Sequence, residues 1–343
     1  MRTLTAETPV LDQRTVLAML RAAAEPTRLR VLALLAPGEL SVKDLTRILN
    51  QSQPRISRHL KLMAEAGLVE RVRDGSWAYF QLVDSGPRGE LARGLLASID
   101  PADPVLARDR QRAVTVKLER EAAAQTYFRE NAAEWDRIRS LHVAEREVEA
   151  AVCDAFGPGP FDLLVDLGTG TGRMLELLAD RYVRAVGFDI NHTMLAYARS
   201  KLETAGATTA SVRHGDLYDV ALEDGAADAV IMHQVLHFLT EPQQAIREAA
   251  RVLAPGGRLV IVDFAAHGLE FLREEFAHER LGFTDVQVTQ WLTDAGLETS
   301  PPRRLDQAGG DSKARLTVML WTARRPGADR AASRHTRQSK VEA

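Results

Sequence analysis

From Phe161 onward, short apolar runs alternate with helical patterns: FDLLVDL, then 172–181; VRAVGFD, then 192–205; SVRH; AADAVIM, then 242–253; RLVIVDF. Strand followed by helix, repeated, predicts a mainly parallel sheet with helices on both faces, a Rossmann-like α/β domain over 161–323. Upstream, residues 10–100 read as short amphipathic helices followed by a hairpin. A charged, helix-rich connector and cap covers 101–160 and closes on Gly157-Pro158-Gly159-Pro160. The stretch 264–283, rich in His, Glu and Phe, interrupts the alternation and is expected to cover a pocket. The tail 324–343 has no apolar period and is expected to be disordered.

Composition narrows the classes. With 343 residues, 45% of them hydrophobic and 27% charged, the chain has apolar material for two cores. No apolar stretch approaches the roughly 18–20 residues of a membrane span. The start, MRTLTAETPVLDQRT, lacks the apolar core of a secretory signal, so a cytoplasmic protein is expected. The single cysteine, Cys153, excludes an internal disulfide, a zinc or iron–sulfur site of its own, and thiolate capture of arsenic. No metal site is expected. The net charge of −3 hides a basic segment: residues 41–73 hold seven Lys and Arg against three Asp and Glu, which suggests a polyanion site.

That segment has the pattern of two short helices and a hairpin. Ser41-Val42-Lys43-Asp44 reads as a capping box, and Leu45, Ile48 and Leu49 form the buried face that follows. Asn50-Gln51-Ser52 makes a turn, and Pro54 suits the first turn of the next helix. There Ile56, Leu60 and Met63 point inward, leaving Gln53, Arg55, Ser57, Arg58, His59 and Lys61 off that stripe or at its margins. Arg can bond guanine edges bidentately, while Lys, Ser and His can hold phosphates. Asp74-Gly75 between alternating residues predicts a hairpin, a wing with Arg71, Arg73 and Ser76 near its tip.

Over about 15–83 the chain resembles the ArsR family of bacterial repressors. The residues that carry the likeness are Glu25-Pro26-Thr27-Arg28-Leu29-Arg30-Val31-Leu32, Glu39-Leu40-Ser41-Val42, Gln53 through Lys61, and Ala66-Gly67-Leu68-Val69. The resemblance implies a winged helix-turn-helix homodimer, built from the first helix and one near 85–98, on a two-fold double-stranded DNA operator. Metal-sensing members carry Cys-x-Cys where Ser41 and Lys43 stand here. Winged helices also serve only as dimerisation domains in small-molecule O-methyltransferases, which is the alternative for this module.

In the second half, Leu163-Leu164-Val165-Asp166-Leu167-Gly168-Thr169-Gly170-Thr171-Gly172 is a strand, a carboxylate and glycines at alternate positions opening a helix. Arg173 stands where a dinucleotide fingerprint has its third glycine. Asp166 suits a ligand bearing an ammonium, and the glycines let backbone approach it closely. Asp189 ends the second strand and can accept both ribose hydroxyls. His214-Gly215-Asp216-Leu217 ends the third.

These residues together resemble the class I S-adenosylmethionine-dependent methyltransferases over roughly 125–263. The resemblance implies S-adenosyl-L-methionine, or S-adenosyl-L-homocysteine as effector, held by Asp166, Gly168, Thr169, Gly170, Gly172, Asp189, Ile190, Asp216, Leu217 and His233. The segment Tyr127–Arg139 looks like the cap preceding such domains, its Phe128 and Trp135 either roofing the methyl donor or packing the helix. His233 is the candidate base, and His237 falls in the same region. The reading is a dimeric regulator whose second domain senses the methyl donor or its demethylated product, methylates a small molecule, or does both. The alternative is a methyltransferase using its winged helix for dimerisation or autoregulation.

Overall fold

The computed structural model describes residues 10–74, 77–83, 86–136, 145–305 and 316–327. It forms two compact units, Met1–Ala122 and Ala123–Ala343.

The first unit opens with α1 (Gln13–Ala23), α2 (Pro26–Leu35), α3 (Val42–Leu49) and α4 (Gln53–Glu65). Three short strands, β1 (Leu40–Ser41), β2 (Val69–Asp74) and β3 (Trp77–Leu82), pair antiparallel in the order β1-β3-β2. Helices α5 (Gly86–Ala97) and α6 (Pro104–Asn131) follow. The expected capping box is present: Ser41 Oγ accepts the Asp44 amide at 3.1 Å, and Asp44 Oδ2 accepts the Ser41 amide at 3.1 Å. Asn50 ends α3 in the left-handed region (φ 51°), which reverses the chain into α4. Leu45, Ile48, Ile56, Leu60 and Met63 are fully buried in one core.

The start of α6 belongs to this unit. Arg30 of α2 binds Asp109 through two parallel hydrogen bonds of 2.6 and 2.7 Å. Arg112 reaches the carbonyl of Ile48 at 3.3 Å, and Arg47 pairs with Glu119. Residues 101–160, read as one connector, are therefore divided: the helix crosses the boundary between units at Ala122/Ala123.

The second unit is built on α7 (Glu145–Phe156), β4 (Phe161–Leu167), α8 (Arg173–Leu177), β5 (Tyr182–Asp189), α9 (His192–Thr204), β6 (Ala210–His214), β7 (Ala227–His233), α10 (Pro242–Val252) and β8 (Leu253–Phe264). Then come α11 (Phe271–Glu275), α12 (Asp285–Asp294), β9 (Glu298–Thr299), β10 (Arg303–Leu305) and β11 (Val318–Arg324). The sheet order is β10-β11-β8-β7-β4-β5-β6, with β9 also on β11; β6 through β8 are parallel and β11 is antiparallel. Alternate residues enter two cores. Val165, Val186, Val230 and Ile261 point to one, and Leu164, Ala185, Ile231 and Val260 to the other. Burial on both faces explains why these strands read as continuous apolar runs.

Arg324 and Arg325, expected in the tail, are part of the fold. Arg324 still lies in β11, and Arg325 Nη1 donates to the carbonyls of Leu253 at 2.6 Å and Arg251 at 3.1 Å, satisfying groups at the end of α10. Residues 328–343 lie outside the described residues. Because β4 is flanked by β5 and β7, successive connections leave it in opposite directions. A crevice opens beyond the carboxyl ends of the strands at such a point.

Candidate functional site

The crevice begins at the loop after β4. Gly168, Gly170 and Gly172 all take positive φ, at 78°, 52° and 81°. An L-residue is strained there, which is the physical reason for glycines at alternate positions. Thr169 Oγ1 donates to Asp166 Oδ2 at 2.7 Å, both groups being buried, while the amides of Gly168 and Thr169 each donate to Phe188 O at 2.9 Å. The loop is thereby fixed to β4 and β5. Asp189 closes it from the end of β5, accepting the Gly170 amide at 2.9 Å and the Asn191 amide at 2.8 Å. Burial pushes the Asp189 carboxyl above the ordinary carboxylate range, against the pull of those amides and of His214.

Around this centre, Ile190 stands 45% exposed, an apolar side chain at the mouth of the crevice. Gly172 is the N-cap of α8. Asp216 is exposed and accepts the Tyr218 amide at 2.9 Å, so it organises a turn beyond β6. The Leu217 side chain packs in the core, which leaves its backbone as the part a ligand could touch. The segment after α6 lies over the loop. Thr171 Oγ1 donates to Asp136 Oδ1 at 2.7 Å, Asp136 pairs with Lys201, and the Asn191 amide nitrogen donates to Gln125 Oε1 at 3.0 Å.

Beside the glycine loop is a cleft of about 410 Å³, partly open to solvent, lined by Tyr127, Trp135, Gln234, His237, Phe238, Phe264, Leu272, Phe276, His278 and Leu316. Phe128 packs edge-on against Trp135 (ring centroids 5.2 Å) and Phe238 (4.7 Å), backing two rings that line the cleft. Leu272 and Phe276, from the stretch expected to cover a pocket, are also in the lining.

The two histidines after β7 are placed differently. His233 ends β7 half-buried, whereas the lining includes Gln234 and His237. Gln234 takes a positive φ of 51°, and the short 3-10 helix Leu236–Phe238 follows. There the buried His237 Nδ1 meets Asp263 Oδ1 at 2.7 Å. Asp263, wholly buried near the end of β8, was missed in the sequence. A carboxylate inside the apolar run VIVDF was the signal, since a buried charge demands a partner.

In the first unit, Gln53, Arg55, Ser57, Arg58 and Lys61 are exposed on α4, opposite its buried stripe. His59 departs from this face. Its side chain is only 12% exposed and its Nδ1 lies 3.8 Å from Glu25. Burial pushes its pKa down, only partly offset by Glu25. Arg71 is exposed on β2; Ser76 and the side chain of Arg73 lie outside the described residues.

These two units define a winged helix-turn-helix domain and a Rossmann-like domain of methyltransferase type. Residues 25–71 match the family described as bacterial regulatory protein, arsR family, and residues 165–261 match the methyltransferase domain family. Among curated proteins, an uncharacterized 37.1 kDa protein in transposon TN4556 of Streptomyces fradiae is 37% identical over 121 residues, covering 34% of each chain. Demethylmenaquinone methyltransferase of Clavibacter sepedonicus is 30% identical over 151 residues, covering 43% of this chain and 61% of that one. Phosphatidylethanolamine N-methyltransferase of Cereibacter sphaeroides is 35% identical over 104 residues, covering 30% and 51%. The chain thus spans about a third to three-fifths of the length of these relatives. A solved methyltransferase bound to the Haloferax volcanii Trm112 activator has a TM-score of 0.49 at 22% identity, over 58% of this chain and 97% of that one. No helix among the described residues is long and apolar enough to cross a membrane.

Proposed function

We propose that this chain is a DNA-binding transcription regulator carrying an S-adenosylmethionine-dependent methyltransferase domain, which senses the methyl donor or its demethylated product, methylates a small molecule, or does both. One observation carries the reading: a positive-φ glycine loop joined through the Gly170 amide to a carboxylate at the end of the adjacent strand. The residues fit the donor. A Cβ on Gly170 would stand 3.6 Å from Trp135 Nε1, so the bare loop leaves room beneath the indole. Each Asp189 oxygen accepts one amide and keeps a lone pair for a ribose hydroxyl. Backbone of 168–172 would hold the amino-acid end and Asp166 would favour its ammonium, with Ile190, Asp216 and the Leu217 backbone on the nucleoside side.

The bound donor supplies an electrophilic methyl on a sulfonium, so the protein's task is alignment and exclusion of water. Trp135 and Phe238 wall the approach, and Thr171–Asp136–Lys201 holds the covering segment to the loop. In the first unit Arg55 and Arg58 would reach base edges, with Gln53, Ser57, Lys61 and Arg71 on phosphates. A homodimer through α1 and α5 would fit a two-fold operator; α1 leaves Leu17 and Leu20 exposed one turn apart.

Calorimetric titration with S-adenosylhomocysteine and gel-shift binding to the chain's own promoter test both halves. Micromolar retention of the nucleoside is expected. Changing Arg55 and Arg58 to Ala should weaken DNA binding by about 10–100-fold per residue. No retention sinks the donor site, and no specific shift sinks the regulator in favour of a dimerising winged helix.

A further inference from the structure

The cleft beside the glycine loop carries information about the acceptor. Its walls include the aromatic side chains of Tyr127, Trp135, Phe238, Phe264 and Phe276, a lining that suits a planar ring. Among the described residues no Lys, Arg, Asp or Glu lines it, so an acceptor with its own carboxylate or phosphate would meet no Lys or Arg counter-charge there.

The polar groups of the lining are not equivalent. His237 is 2% exposed and its Nδ1 is fixed on Asp263 Oδ1 at 2.7 Å. That carboxylate also accepts the amides of Phe264 at 2.7 Å and His237 at 3.3 Å, which locks ring and backbone together. With Nδ1 engaged, Nε2 is the nitrogen left for an acceptor. Other titratable and charged groups nearby are Tyr127, which burial pushes up, His278, His267, Glu270, Arg273 and Arg280. His278 stacks on Phe264 (5.7 Å, 13°) and stands 4.2 Å from the His237 ring. Burial, then the positive neighbours His237 and Arg273, hold His267 down at about 4. Of the three imidazoles, His237 is the one hydrogen-bonded to Asp263 in the fold.

Resting on the methyl-donor reading above, we infer that the acceptor is a phenol-type hydroxyl on a planar ring, deprotonated by His237 Nε2, with Asp263 as the positioning residue. The O–H bond breaks and its proton passes to Nε2. The freed oxygen pair forms the bond to the methyl carbon as the carbon–sulfur bond breaks, and that pair remains on a neutral thioether sulfur. His237 then returns its proton to solvent once the methylated product has left. The Asp263 carboxylate stabilises the imidazolium that forms when Nε2 takes the proton.

The probe is 4-nitrophenol, whose ionised form absorbs visible light, titrated into the full chain saturated with S-adenosylhomocysteine. At a pH below the free phenol's midpoint, binding should raise the ratio of ionised to neutral probe about tenfold or more. His237→Gln should keep nucleoside affinity and lose the ionised band. Asp263→Asn should bind the probe with the band reduced, a signature that a purely structural carboxylate would not move. If the nucleoside binds and 4-nitrophenol does not, the acceptor class is wrong while the donor site stands. If His237→Gln ionises the probe as fully as the native chain, the base is wrong. An Asp263→Asn variant with the native band overturns the positioning role. Failure to bind the nucleoside at all falls on the donor site itself.

Discussion

Replacing Gly168 by Ala tests the glycine loop most directly, because two separable costs meet there. Its φ of +78° lies in the left-handed region, which costs an L-residue about 1–2 kcal/mol. A Cβ would also fall 2.3 Å from Val235 Cγ2 and 2.8 Å from its Cβ, closer than real carbons approach. Overpacking of this kind costs about 1–3 kcal/mol, giving a total of about 2–5 kcal/mol. Gly206 supplies the control: φ is +69°, but nothing lies within 4 Å of the added carbon, so Gly206→Ala bears the backbone cost alone. Urea unfolding followed by tryptophan fluorescence reports mainly the second unit, which holds Trp135, Trp291 and Trp321. Gly168→Ala should lose at least about 1 kcal/mol more than Gly206→Ala, and coupling to Val235→Ala in a double-mutant cycle should recover about 1 kcal/mol or more. Nucleoside affinity should fall with it, since Val235 cannot give way without moving the turn that carries Gln234 and His237. Equal losses at the two glycines, with no coupling, would refute the packing argument.

Three further outcomes are expected. Asp109→Ala should lower the stability of the first unit by about 2–3 kcal/mol in urea unfolding by circular dichroism, less than a fully buried pair loses because Arg30 is a fifth exposed. Between an unfolded value of 6.5 and a folded value of about 4, His267 binds its proton only in the unfolded chain, so stability falls as pH falls across that window, by at most about 3 kcal/mol. His267→Gln should flatten the pH dependence of the urea midpoint there. Leu17→Glu with Leu20→Glu should halve the mass measured by light scattering if α1 forms the dimer contact, and an unchanged mass would remove α1 from it.

Much of the fold was legible because several levels of the sequence agreed. Continuous apolar runs such as LLV and VIV marked strands covered on both faces, and Ser41 with Asp44 announced a helix start that the hydrogen bonds complete. The glycine spacing marked a loop open to close approach, and all three glycines there take positive φ. What escaped was set by local geometry that periodicity does not carry. His59 follows Ile56 by three residues, so it shares the inner edge of α4 and meets Glu25. That His237 rather than His233 lines the cleft was hidden behind the positive φ at Gln234, and its buried partner Asp263 is 26 residues away in sequence. The extent of the connector was hidden for the same reason, since Asp109 is legible as a core residue only once Arg30 stands beside it.

The strand β11 pairs along its whole length with β8, from Val318 on Phe264 to Arg324 on Arg258, and separates β8 from β10. During synthesis, residues 318–324 leave the ribosome after every strand they join. The second unit must therefore wait with an open β8 edge, while the first, whose contacts end by residue 122, is free to form first. A nascent or truncated chain would thus present a finished first unit and a second unit with an unpaired β8 edge.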